Sequence, residues 1–112
     1  MRVLVFDLCP LFAEGLIGVF KSIGGFEVVA VTSEIEKVPA LVAEHAVNFV
    51  VLDLDAGQPA VKVLEQIKTG SDALRCVMTI TDGSQPALMA AIRMQADGFL
   101  SKLSLIHISE PT

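Results

Sequence analysis

Phe49-Val50-Val51-Leu52-Asp53 decides the fold of this chain. Four apolar residues run without a polar break and stop at an acid. A strand with one wet face would alternate apolar and polar residues. A continuous apolar run needs cover on both faces, which a parallel sheet flanked by helices supplies. The pattern repeats on either side. Val3-Leu4-Val5-Phe6 ends at Asp7, and Phe26 to Val31 is dense in valine. Cys76-Val77-Met78-Thr79-Ile80 and the short Phe99-Leu100 complete a set of five predicted strands.

Helical spacing fills the intervals. Pro10 sits where a helix can start, and Leu11, Phe12, Leu16, Val19, Phe20 and Ile23 recur at helical period until Gly24-Gly25 stops them. Ser33 and Glu36 read as a capping box for a second helix. That helix would carry Ile35, Val38, Leu41, Val42 and Ala46, with Pro39 tolerated near its first turn. Ala56-Gly57-Gln58-Pro59 reads as a loop. Val61, Leu64, Glu65 and Ile67-Lys68 form a short third helix closed by Gly70. Asp82-Gly83-Ser84 reads as a turn into a helix from Pro86 to Met94. Strands alternating with helices in this way predict a doubly wound α/β fold with a five-stranded parallel sheet.

Composition narrows the function. The chain has 112 residues, room for one core and no more. It is 53% hydrophobic, which excludes a disordered chain. The net charge is −5, and the eight Lys and Arg residues form no stripe, so nucleic-acid binding by this fragment is not expected. Charged residues interrupt every apolar run, so no membrane span is expected. Asp7 comes too early for a signal peptide. Cys9 and Cys76 lack metal-binding spacing, which points to a reduced, cytoplasmic protein. Cys76 reads as core. Cys9 reads as a small hydrophobe, with a redox-sensing thiol as the sharper alternative. Residues 103–112, Leu103 to Thr112, resemble the in-frame translation of a transposase-type sequencing adapter. They are set aside from the fold. The expected domain is 1–102, with its own fifth helix missing or replaced.

In doubly wound sheets the site lies beyond the carboxyl ends of the strands, where strand order reverses. Asp7 ends the first strand, Asp53 ends the third, and Lys102 follows the fifth. An Asp after an apolar run is often only a loop residue, and a single Lys is usually solvated. Two acids and an ammonium at corresponding ends suit a phosphoryl group on Asp53. A carboxylate can attack phosphorus, and Lys102 would neutralise the charge that results.

These residues carry a resemblance. Arg2-Val3-Leu4-Val5-Phe6-Asp7-Leu8-Cys9-Pro10, Phe49-Val50-Val51-Leu52-Asp53-Leu54 and Ala96-Asp97-Gly98-Phe99-Leu100-Ser101-Lys102 resemble the first strand, phosphoacceptor strand and fifth-strand signature of bacterial response-regulator receiver domains. The NarL/FixJ type is the nearest. The resemblance implies a flavodoxin-like receiver fold and a phosphorelay signalling module rather than an enzyme. It implies Asp53 as phosphoacceptor and Lys102 as the phosphoryl contact. Asp7, Asp53 and the backbone carbonyl of Asp55 would be the magnesium ligands. Thr81 and Phe99 would be the switch residues. A sensor histidine kinase is the implied partner, homodimerisation is a further expectation, and a DNA-binding output domain would follow the receiver.

The chain also departs from that pattern. The second acid of the family's pair is Leu8, so magnesium binding should be weakened. The side chains of Asp55 and Asp82 are candidate substitutes. The loop after Asp53 looks one residue short. Counting back from Lys102 puts the expected hydroxyl residue at Ile80, between Thr79 and Thr81. The alternative is therefore a degenerate pseudo-receiver, a phosphorylation-independent interaction or dimerisation module.

Overall fold

The structure, a computed structural model, describes residues 1–70, 73–81 and 96–102. Its strands are β1 (Arg2–Phe6), β2 (Glu27–Thr32), β3 (Phe49–Asp53), β4 (Arg75–Ile80) and β5 (Gly98–Ser101). Its described helices are α1 (Pro10–Ile23), α2 (Val38–Glu44) and α3 (Gln58–Gly70). The expectations for a turn at Asp82-Gly83-Ser84, for Asp82 as a ligand, for a helix from Pro86 to Met94 and for the tail 103–112 lie outside the described residues.

All strand pairs are parallel, in the order β2-β1-β3-β4-β5. The chain runs outward from β1 to β2, then crosses back to β3 on the other side of β1. Strand order therefore reverses between β1 and β3.

The doubly apolar runs divide their side chains between two layers. Val3, Val5 and Val51 pack with Ala13 and Leu16 of α1. Leu4, Phe6, Val50, Leu52, Cys76 and Met78 pack on the opposite face with Val38 of α2 and Val61, Leu64 and Ile67 of α3. The period-two alternation of a strand makes this split. Burying each such aliphatic side chain contributes about 1.5–3 kcal/mol. Phe20, Phe26 and Phe49 close the α1 side with ring centroids 5.2–6.0 Å apart. Burial pushes the Cys76 thiol up to about 12, which agrees with its reading as core.

Several local expectations are corrected. Helix α3 starts at Gln58, inside the stretch read as loop, with Pro59 in its first turn. Proline is well suited to that turn because the amide it lacks would have no intrahelical partner there. Gly57 makes the entry with φ +76, a region that L side chains rarely adopt. The Ser33–Glu36 capping box does not form. A 3-10 turn at Ile35–Lys37 leads into α2 without a side-chain cap. The Thr32 hydroxyl accepts the Glu34 amide at 3.0 Å, which holds the link between β2 and that turn without capping a helix. Ala46 lies beyond α2 at φ +51 rather than on its apolar face. Leu11 and Ile23 share the helical period of α1 but are exposed, as is Cys9.

Asp97 fastens β5 to the sheet. Its carboxylate accepts from Lys68 Nζ at 2.8 Å, Arg75 Nη1 at 3.3 Å and the Cys76 amide at 2.7 Å. Partial burial pushes its pKa up, but these donors outweigh that and hold it below the usual carboxylate value.

Thr79 is fully buried, and its hydroxyl has no hydrogen-bond partner among the described residues. A buried unpaired hydroxyl costs about 1–3 kcal/mol. Thr79→Val keeps the shape and removes that cost. Urea unfolding should show a gain of about 1 kcal/mol. A loss of stability would mean that the hydroxyl is bonded in solution.

Candidate functional site

The register Phe6↔Leu52 brings the carboxyl ends of β1 and β3 side by side. Asp7, just past β1, and Asp53, the last residue of β3, therefore meet at the switch point. Lys102 follows β5 and reaches over the end of β4. Its Nζ lies 2.9 Å from Asp53 Oδ2, 3.4 Å from Asp7 Oδ2 and 3.3 Å from Asp55 Oδ2. The Phe12 ring, in the first turn of α1, faces the same ammonium at 5.1 Å. The sequence brought Asp7, Asp53 and Lys102 together correctly. The Asp55 carboxylate, read from the sequence only as a substitute metal ligand, joins the cluster through Lys102 and Thr81, and the sequence missed Phe12, which looked like ordinary core.

The acids are held by the backbone as well. Asp53 Oδ2 accepts the Leu8 amide at 3.1 Å, and Oδ1 accepts the Asp55 amide at 2.9 Å. Asp7 Oδ1 accepts the Cys9 amide at 2.7 Å. Asp7 Oδ2 is buried without a hydrogen-bond partner among the described residues. Lys102 attracts it at a distance too long for a good bond. Burial raises the Asp7 pKa and the Asp53 charge adds to that, against the Cys9 amide and Lys102. Lys102 is raised in turn. Burial pulls it down, but the Asp53 hydrogen bond and the Asp53 and Asp7 charges outweigh burial.

The switch candidates fall in different places. The Thr81 hydroxyl donates to Asp55 Oδ2 at 2.6 Å, and its amide approaches Asp55 Oδ1 at 3.4 Å. Thr81 thus supplies a hydroxyl at the site, whereas Ile80 is half-buried against the α2/α3-side core. Phe99 packs on the same core and pairs with Met78 in the sheet, apart from the polar cluster.

Magnesium calls for near-octahedral oxygen ligation. Three carboxylates supply oxygens, one of them Asp7 Oδ2, which accepts no hydrogen bond among the described residues. Yet the Lys102 ammonium stands among all three, and Leu8 supplies no oxygen where a second acid was expected. Its side chain is exposed, and only its amide touches Asp53. Among the described residues no group of three or more His, Cys, Asp or Glu is arranged to hold a metal ion. The described residues as they stand do not fit a magnesium site. No helix among them is long and apolar enough to cross a membrane.

Comparison with known proteins bears on the fold. No protein-family model matches the chain, and no curated protein matches it in sequence. Solved structures do. A LuxR-family two-component response regulator from Aurantimonas sp. is 21% identical at TM-score 0.80, over 95% of this chain and 79% of that one. The signal receiver domain of the response regulator NarL from Mycobacterium tuberculosis is 22% identical at TM-score 0.78, over 99% and 97%. The response regulator domain of CheB from Thermotoga maritima is 18% identical at TM-score 0.81, over 97% and 87%. The three fit about equally well, so the likeness does not separate one receiver subfamily from another. The fold of this chain is the fold of response-regulator receiver domains.

Proposed function

We propose that the chain is the phosphoacceptor module of a two-component signalling protein, with Asp53 as the acceptor. The observation that carries this reading is the Lys102 ammonium 2.9 Å from Asp53 Oδ2 at the switch point of the sheet. An Asp53 oxygen would attack the phosphorus of a phosphohistidine on a sensor kinase. The new P–O bond forms as the P–N bond breaks, and the imidazole leaves with the electron pair and takes up a proton. The product is an acyl phosphate whose added negative charge Lys102 would balance. A metal has no part in this scheme, because the donors among the described residues do not fit one. Thr81 and Phe99 would relay the change to the β4–β5 side. A NarL/FixJ-type assignment, a DNA-binding output domain and homodimerisation remain part of this proposal.

Intact-mass analysis after exposure to acetyl phosphate tests it. Wild type should gain one phosphoryl group and Asp53→Asn none. Uptake should be weak, because the second acid is replaced by Leu8.

A second reading has its own support. Asp53 is fully buried, and Leu8, whose amide bonds Asp53, exposes its apolar side chain, as does Leu11 in the first turn of α1. Both features suit a module that keeps the fold and acts through protein contacts without phosphorylation. Zero uptake in wild type as well as in Asp53→Asn would leave this reading alone.

A further inference from the structure

The geometry points to Asp55 as a built-in competitor of the phosphoryl group, a positioning residue that occupies the donors an acyl phosphate on Asp53 would need. This inference rests on the phosphoacceptor reading. The Asp55 carboxylate takes the Thr81 hydroxyl at 2.6 Å and the Thr81 amide at 3.4 Å, both at the end of β4. It also ion-pairs with Lys102 at 3.3 Å, at the end of β5. A hydroxyl, a backbone amide and an ammonium converging on one anion make a phosphate-type donor set. Here an aspartate of the same chain already fills it.

The backbone keeps Asp55 in that position. Its amide donates to Asp53 Oδ1 at 2.9 Å, so the competing carboxylate is tethered to the residue that would carry the phosphoryl group. A phosphoryl group brings nearly two negative charges and three acceptor oxygens. It cannot share Thr81 and Lys102 with Asp55 without bringing like charges together. Phosphorylation would therefore have to displace Asp55, and the unmodified chain already has Thr81 drawn toward the site. Uptake is slowed, and the contrast between the two states is reduced.

Asp55→Ala removes the competitor and keeps the tethering amide, so the turn after β3 is retained. Asp55→Asn keeps the shape and removes the charge. With acetyl phosphate as donor, the initial rate of Asp53 modification by intact mass should rise about tenfold in Asp55→Ala, the loss of a charge-assisted contact. Asp55→Asn should lie between that and wild type. In the unmodified proteins, the Thr81 amide resonance should move in Asp55→Ala. An unmoved Thr81 amide would overturn the inference, because the contact would then not exist in solution. A rate in Asp55→Ala equal to or below that of wild type, with wild type clearly modified, would overturn it and leave the phosphoacceptor reading intact. No modification of either chain would remove both.

Discussion

Lys102→Met should cost about 3–5 kcal/mol at pH 7, the usual loss when one partner of a buried ion pair is removed. Small domains have about 5–15 kcal/mol in total, so the variant should stand close to unfolding. The side chains of Asp7 and Asp53 are fully buried, that of Lys102 is 12% exposed, and all three carboxylates face the one ammonium. Methionine fills a similar volume, so the loss reports the ammonium's ion pairs and its place over the Phe12 ring rather than packing.

The pH dependence gives the sign. The Lys102 pKa is raised in the folded chain, so its contribution is complete below the ordinary value of 10.5 and is lost as pH rises through the folded value. Asp7 is an acid with a raised pKa, so its stabilising contribution is complete below 3.8 and is lost as pH rises through its folded value. Without Lys102 that value climbs further, because the lysine was holding it down. The variant should therefore gain more stability than wild type as pH falls from 7 toward 5. Asp97 works in the opposite direction, losing its contribution as pH falls below 3.8, so the comparison belongs above that value. Urea unfolding at pH 7 and pH 5 checks it. Equal losses at both values would mean that the cost of the substitution is not electrostatic.

Leu8→Asp should raise magnesium affinity by about tenfold or more, close to 1.4 kcal/mol. Leu8 follows Asp7 directly and is 51% exposed, so a carboxylate there can be hydrated yet reach the mouth of the site. The added acid supplies an oxygen ligand and offsets the hold of Lys102 on the cluster. It also adds a like charge. Two such charges 4 Å apart repel by about 4 kcal/mol at an effective dielectric of 20, and exposure reduces this to about 1 kcal/mol. The variant should therefore melt below wild type without magnesium and recover when magnesium is added. Titration calorimetry with magnesium, beside thermal melts, measures both effects. Equal magnesium affinity in the two chains would place residue 8 outside the reach of the ion.

Much of the architecture was legible because it depends on short patterns. The doubly apolar runs in β1, β3 and β4 could only belong to a sheet covered on both faces, and their terminal residues located Asp7 and Asp53. The helix stop at Gly24-Gly25 was equally plain. The boundaries that failed were those where a local signal had a rival. Gly57 and Pro59 read as loop, although proline is favoured in a first helical turn. The Ser33–Glu36 pair read as a capping box, but a 3-10 turn that has no side-chain cap leads into α2. Leu11 and Ile23 fitted the helical period but lie outside the buried stripe of α1.

By itself the sequence determined the strand and helix alternation, the two-layer core and the positions of Asp7, Asp53 and Lys102 at strand ends. These follow from hydrophobic periodicity, which acts over a few neighbouring residues. Only the tertiary structure decided that the Asp55 carboxylate turns toward Thr81 and Lys102, that Phe12 faces the ammonium, and that Asp97 ties β5 to Lys68, Arg75 and the Cys76 amide. Those contacts join residues about 20 to 90 positions apart. They arise from strand register and charge in a buried space, and no local pattern encodes them.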